Sequence, residues 1–330
     1  MLEKNPMTPL YLSISALVAG MLGLIWGADK FVAGSASLAR SIGISSLVVG
    51  LTIVSIGTSA PEIIVSINAA LKGSGELSVG NALGSNLANI GLVLGITLLI
   101  APIPIHRGLV KQEGVILLLV TGLAGICLYN NFLGRLESIL LIVLVVPLLL
   151  LAAKYKKNHA QTTETQITQS FTTRGALISF TIGLTTLLVS AELTVWGAKS
   201  IAINMGISEL VIGLTIIAIG TSLPELAASA VSAVRGHHDI AVGNIIGSNL
   251  FNLLLVMGAA GAISPIALDS NVFTRDYVTM AALTLLMLAF MAMALRHNAD
   301  NAKLPKIVGL FLLVAYCLYY AVLWLSTTGS

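Results

Sequence analysis

Gly50-Leu51-Thr52-Ile53-Val54-Ser55-Ile56-Gly57-Thr58-Ser59-Ala60-Pro61-Glu62 is matched further along the chain by Gly213-Leu214-Thr215-Ile216-Ile217-Ala218-Ile219-Gly220-Thr221-Ser222-Leu223-Pro224-Glu225. Downstream, Gly80-Asn81 and Gly84-Ser85-Asn86…Asn89 recur as Gly243-Asn244 and Gly247-Ser248-Asn249…Asn252. The offset is 163 residues throughout, and 29 of the 53 positions from Gly43 to Gly95 are identical to their counterparts. Composition bias does not hold register over such a length, so the chain carries an internal duplication.

What surrounds the repeat is apolar. Over 330 residues the chain is 56% hydrophobic and 9% charged, with a mean hydropathy of +0.97. These values lie outside the range of soluble globular proteins and predict an all-α polytopic membrane protein. Runs long enough to cross a hydrocarbon core of about 30 Å lie near 9–29, 45–70, 78–101, 109–129, 136–153, 175–198, 208–233, 240–262, 275–295 and 306–325. Ten spans divide into a first five-helix repeat (1–153), a polar linker (154–173) and a second five-helix repeat (174–330). Only Lys4 precedes the first run and no small-residue cleavage site follows it, so that run is expected to be retained.

Starting outside, ten spans put Arg40, Arg107, Lys111, Lys154, Lys156, Lys157, Arg174, Arg235, Arg296, Lys303 and Lys306 on the cytoplasmic side. Lys4, Lys72, Arg135, Lys199 and Arg275 fall outside, a bias that places both termini there. Five is odd, so equivalent helices cross in opposite directions and the repeat is inverted. Inverted repeats bring paired motifs together near the midplane.

Within the second span, Ser55, Thr58, Ser59, Glu62 and Ser66 fall on one helical face. Pro61 has no N–H, so the carbonyl of Gly57 loses its helical partner and the helix must kink or unwind. Carbonyls such as that of Thr58 are then free, which hydrocarbon tolerates only beside a cavity or a ligand. Asn81, Ser85 and Asn89 form a second polar face. The later copy repeats both: Ala218, Thr221, Ser222, Glu225 and Ser229, then Asn244, Ser248 and Asn252, with Pro224 as the break.

Two ionised carboxylates inside a membrane repel each other and need a counter-charge. Lys and Arg are absent from the four motif spans apart from their ends, so the charge comes from outside the chain. The ligands on offer are carboxylates, hydroxyls, amides and backbone carbonyls. Such hard oxygens suit calcium and sodium and argue against zinc or copper. One divalent ion or two monovalent ions balance the pair, and mutual exclusion of that kind is what antiport needs.

The paired G-T-S-x-P-E and G-N-x-x-G-S-N-x-x-N motifs resemble the alpha repeats of the calcium/cation antiporter superfamily, in particular its sodium/calcium exchanger branch. The resemblance implies ten helices in two inverted halves and calcium held by Glu62 and Glu225 with the backbone oxygens of Thr58 and Thr221. It implies sodium sites from Ser59, Ser85, Ser222 and Ser248 and the carbonyls of Ser55 and Ala218, with Asn89 and Asn252 placed centrally. In this branch the position of Asn252 is often Asp, so one titratable group is missing here. The additional acidic residue that the proton-coupled branch carries shortly after G-N is also missing.

The reading is therefore a secondary antiporter, not an enzyme, exchanging calcium for sodium by alternating access. It needs no cofactor and no nucleic acid, and works as a monomer in the lipid bilayer of the plasma (inner) membrane. Proton-coupled exchange, with H+ carried by the glutamates, is the near alternative, and a cation channel is another. An intramembrane hydrolase is disfavoured because His106, His159, His237, His238 and His297 all lie off the motif faces. Other features take plainer readings. Asp29, and Glu192 at the same offset, are read as interfacial carboxylates, paired with Lys30 or solvated at the membrane boundary, ahead of a gating or ion-entry role. His237 and His238 are read as solvent-facing rather than as a metal pair, and Cys127 and Cys317 as small apolar core residues.

Overall fold

The computed structural model describes residues 9–154, 172–207, 212, 216, 218–297 and 301–328. The linker at 155–171, with Lys156, Lys157 and His159, lies outside them, as does most of the first half of the expected seventh span at 208–217. The described chain is helical throughout: α1 (Leu10–Ile42), α2 (Ser46–Thr58), α3 (Ala60–Leu71), α4 (Gly75–Ile100), α5 (Leu109–Leu128) and α6 (Arg135–Lys154). Then come α7 (Thr173–Asn204), α8 (Leu223–Val234), α9 (His238–Ile263), α10 (Val272–His297) and α11 (Lys306–Thr328). Among the described residues seven helices are long and apolar enough to cross a membrane, or eight with the bent pair α2–α3 counted as one span. This is an all-helical, multi-pass integral membrane fold.

Two helices exceed their expected lengths. α1 runs to Ile42 rather than ending near 29, and α7 to Asn204 rather than 198. With 33 and 32 residues each is about 50 Å long, well beyond the hydrocarbon thickness. The added stretch of α1 is Gly- and Ser-rich, which lowers its hydropathy, but those small residues let α1 lie directly on α7. A Cβ at Gly34 would run into the backbone of Phe180, and one at Gly27 into that of Leu187. In return, one at Gly197 would meet the backbone of Leu17. Contacts that descend one helix as they climb the other mean that α1 and α7 run antiparallel. Gly43, with φ of +63°, closes α1 in a left-handed cap.

The helices of the second motif, α4 and α9, form the interior. Of their apolar windows, 72% and 94% of residues are buried, against 22% for α1 and for α11. Asn86 Nδ2 donates to the carbonyl of Asn249, its own repeat counterpart, at 3.2 Å. Two small antiparallel ladders tie the loops: β1 (Ile103–Pro104) pairs with β4 (Lys303–Leu304), and β2 (Phe132–Leu133) with β3 (Ile266–Ala267). Each ladder joins one half of the chain to the other.

Candidate functional site

Both motif helices break where proline requires it. α2 ends at Thr58, Ser59 has a non-helical backbone, and α3 leaves at an angle of 45° with Pro61 in its first turn. Ser59 N–H still reaches the carbonyl of Ser55 (3.0 Å), and Ile63 N–H that of Ser59 (3.2 Å). The carbonyl of Thr58 gains no backbone N–H across the break. The second copy repeats the pattern: Ser222 precedes α8, Pro224 sits in its first turn, and Leu226 N–H bonds the Ser222 carbonyl at 3.0 Å.

Glu62 and Glu225 each fall in the first turn of a new helix, whose N-terminal dipole end favours a carboxylate. Both are buried, 1% and 0% exposed. Ser59 Oγ donates to Glu225 Oε1 at 2.9 Å, so a hydroxyl three residues from one glutamate holds the other. The two carboxylates are within electrostatic range of each other. None of the ion pairs among the described residues reaches either of them.

Of the other expected residues, Ser59 reaches Glu225 and several more are buried in the motif helices. Thr58 Oγ1 donates to Asn244 Oδ1 at 3.0 Å. Ser85, Ser248, Asn89 and Asn252 are buried, and both asparagines open π-helical turns (Asn89–Leu94 and Asn252–Val256). Such turns misalign backbone bonding and recur at functional positions. Thr221 is half-buried, and Ala218 opens a short helical turn at Ala218–Gly220. Ser55 is less available than expected, because its hydroxyl bonds the Leu51 carbonyl (2.8 Å) and its own carbonyl accepts Ser59 N–H.

Among the described residues fifteen buried side-chain polar atoms have no hydrogen-bond partner. Eight belong to this one group: Glu62 Oε2, Glu225 Oε2, the hydroxyls of Ser222 and Ser248, and both amide ends of Asn89 and Asn252. Leaving such atoms unpaired costs about 1–3 kcal/mol each, so their concentration in the paired motifs makes these residues a candidate ligand site. No group of three His, Cys, Asp or Glu side chains assembles among the described residues. The donor set is two carboxylates with neutral oxygens, which fits a hard cation.

The motifs placed two asparagines on the polar faces without a task. Asn81 Nδ2 donates to the Glu62 carbonyl (3.2 Å) and to Ser66 Oγ (3.1 Å). Asn244 does the same for the Glu225 carbonyl (3.4 Å) and Ser229 Oγ (2.9 Å). Each therefore clamps the helix that bears its own half's glutamate. Identity at the repeat offset was the only available signal. Three other expectations change. Cys127 is buried, but Cys317 lies on the exposed face of α11 rather than in the core. Asp29 pairs with Arg235 rather than Lys30, whose ammonium lies 5.9 Å from the Trp26 ring centre. His237 is buried rather than solvent-facing, because the turn before α9 folds it inward.

Comparison with known proteins bears on what this site handles. The chain is 38% identical to the inner membrane protein YrbG of Escherichia coli K12 over 96% of its own length and 98% of that protein's. It is 29% identical to the sodium/calcium exchanger MaX1 of Methanosarcina acetivorans, covering 93% of this chain and 97% of that one. A solved structure of the sodium-calcium exchanger NCX_Mj superposes with a TM-score of 0.83 at 31% identity, covering 95% of this chain and 99% of the other. The family model described as sodium/calcium exchanger protein matches residues 12–154 and 175–325, one match to each half. With matches across both halves of a duplicated site, the chain belongs to the sodium/calcium exchanger protein family.

Proposed function

We propose that the protein exchanges calcium for sodium across the membrane by alternating access to one site between its two halves. It is a transporter rather than an enzyme, and the ions are its cargo. Glu62 and Glu225 bind calcium with the carbonyls of Thr58 and Thr221. Sodium uses Ser59, Ser85, Ser222 and Ser248 with the carbonyls of Ser55 and Ala218, and Asn89 and Asn252 fill the centre. The observation that carries this reading is the pair of buried glutamates, free of basic partners among the described residues, each with an unsatisfied carboxylate oxygen and accompanied by six more unsatisfied polar atoms on the motif Ser and Asn side chains. Two negative charges are balanced by one Ca2+ or by two Na+, so one kind of ion excludes the other.

The architecture we propose is ten spans in two inverted five-helix repeats, 1–153 and 174–330, joined by the 154–173 linker, with both termini outside the inner membrane and the monomer sufficient for transport. Several contacts support it. α1 and α7, related by the repeat offset, are antiparallel. The ladder β1–β4 joins the loops after the third and ninth spans, and β2–β3 those after the fourth and eighth. Ten alternating spans put each of these loop pairs on one side.

Proteoliposomes loaded with sodium and diluted into sodium-free buffer with labelled calcium, at clamped pH, test the assignment. Calcium uptake that needs internal sodium and vanishes in Glu62→Gln is expected. Uptake driven by a pH gradient but indifferent to sodium would make the coupling ion a proton, and uptake without any counter-ion would make the protein a channel.

A further inference from the structure

Asp29 and Glu192 occupy the same position in the two copies, yet their surroundings differ. Arg235, the residue that ends α8, reaches Asp29 with Nη2 at 2.5 Å and Nε at 2.8 Å, joining the second half to the first. Applying the repeat offset to this pair gives Glu192 and Lys72, again an acid on the long helix and a base at the end of the broken one. Both are exposed, and no ion pair joins them.

The space beside each acid differs in the same sense. Next to Glu192 a cavity of about 330 Å³ runs past Val195 to Thr221, Pro61 and Pro224, at the ion site. Ala191, Val195, Lys199 and Thr221 line it. Their counterparts Ala28, Val32, Ala36 and Thr58 are at most 1% exposed, and the cavity of about 650 Å³ that Asp29 and Arg235 line includes none of the ion-site residues, so the route from the Asp29 side to Thr58 is packed shut. The closed side has its ion pair made, and the open side has it broken.

From this we infer that Asp29–Arg235 and Glu192–Lys72 are alternating latches. Each closes one access path to the ion site, and they are never made together. The structure holds the first and leaves the Glu192 side open. When the halves exchange roles, Lys72 moves onto Glu192, the Thr221 cavity closes, and Arg235 releases Asp29 to open the opposite side. The inference rests on the inverted repeat and alternating access proposed above. It adds four residues that touch no ion to the machinery and gives the duplicated acids a role in positioning.

The test uses full-length protein with Cys127 and Cys317 changed to Ala and a Cys placed at Val195 in the cavity wall. Labelling of that Cys by an impermeant maleimide reports how often the Glu192 side is open, with no transport required. Arg235→Gln should slow labelling about two- to fivefold, the range for a partly exposed ion pair. The charge swap Asp29→Arg with Arg235→Asp should restore it, and Lys72→Gln should not slow it. In separate variants, cysteine pairs at 29/235 and at 72/192 should each be bridged by a bifunctional methanethiosulfonate that spans the length of an ion-paired side chain, and locking either should stop exchange until reductant is added. An unchanged labelling rate in Arg235→Gln, failure of the swap to restore it, or absence of the 72/192 cross-link in sodium, calcium and ion-free buffer would each overturn the latch. Labelling and cross-linking need no ion flux, so they judge the latch independently of the exchange assignment. Loss of sodium-driven calcium uptake in the parent protein would instead strike that assignment.

Discussion

Replacing Glu225 by Gln keeps the shape of the side chain and an oxygen to accept from Ser59, now 2.9 Å from Glu225 Oε1, while removing one of two site charges. If the pair holds calcium, the substitution takes away half of the charge that neutralises it in a dry setting. Removing one partner of a buried charge pair costs about 3–5 kcal/mol. At about 1.4 kcal/mol per tenfold, that weakens calcium binding by roughly two to three and a half orders of magnitude. Thermal unfolding in detergent reads this without any flux. At free calcium a hundredfold above its dissociation constant, binding stabilises the parent by about 2.7 kcal/mol. At the same calcium the variant sits at or below half-saturation and gains at most about 0.4 kcal/mol, so the calcium-induced shift shrinks about sixfold or more. Without ions the variant should be no less stable than the parent, because a like-charge repulsion is gone. A calcium shift of parental size in either Glu225→Gln or Glu62→Gln would refute the argument. A collapse of the ion-free melting temperature would do the same, since it would make the carboxylate a structural element.

Asn244→Leu removes the bonds to the Glu225 carbonyl and to Ser229 and the acceptor of Thr58, leaving buried hydroxyls unmet. A loss of about 1–3 kcal/mol in stability is expected, with exchange reduced more than tenfold in the protein that remains folded. Gly34→Leu drives a side chain into the Phe180 backbone and should abolish the monodisperse peak on size exclusion, whereas Gly122→Leu, where a Cβ meets nothing within 4 Å, should not. At the loop between α4 and α5, the hydrogen bond that His106 Nε2 donates to Asp239 Oδ1, at 3.2 Å, raises the His106 pKa above 6.5. Burial opposes the shift, and the charges of Asp239 and Glu113 add to it. The pair's stabilisation is therefore complete below about pH 6.5 and is lost as pH rises through the higher folded value. Asp239→Asn should flatten the pH dependence of the melting temperature across that window.

Some of this structure could be read from the residues and some could not. Pro61 and Pro224 announce their breaks because a missing N–H has one local consequence. Glu62 and Glu225 mark the candidate site because nothing basic in their spans, apart from the span ends, can neutralise them. Hydropathy ended α1 near residue 29, since Ser35, Ser37 and Gly34 look polar or neutral when each residue is scored alone. Their value lies in the close approach to α7, a property of two helices that no window along one helix contains. The partner of Asp29 was missed for the same reason. Lys30 is adjacent in sequence, but a helix turns it toward Trp26, while Arg235 arrives from 206 positions away. The π-helical turns at Asn89 and Asn252 have no local residue signature. The clamps made by Asn81 and Asn244 follow from how α3 packs on α4 and α8 on α9, which identity between the copies marks without explaining.

The polar bonds at the site fall into two sets with different roles. Asn81 with Glu62 and Asn244 with Glu225 lie within a half, and the same bonds occur in both copies. They fix each carboxylate to its own half whatever the other half does. Ser59 with Glu225 and Thr58 with Asn244 run between halves, and both have their donor in the first half. The mirror of the first would be Ser222 with Glu62, yet Ser222 Oγ has no partner among the described residues and neither does Glu62 Oε2. The two asparagine clamps are thus symmetric, and the serine donor to the opposite glutamate is not. Sequence identity between the copies gives no reason for the cross-half asymmetry, so it belongs to the arrangement of the halves. A second arrangement with donors and acceptors exchanged would make the same number of bonds from the same residues. Two states of nearly equal energy, separated by swapping a few bonds of about 1 kcal/mol each, are what a site needs if it is to face either side of a membrane in turn.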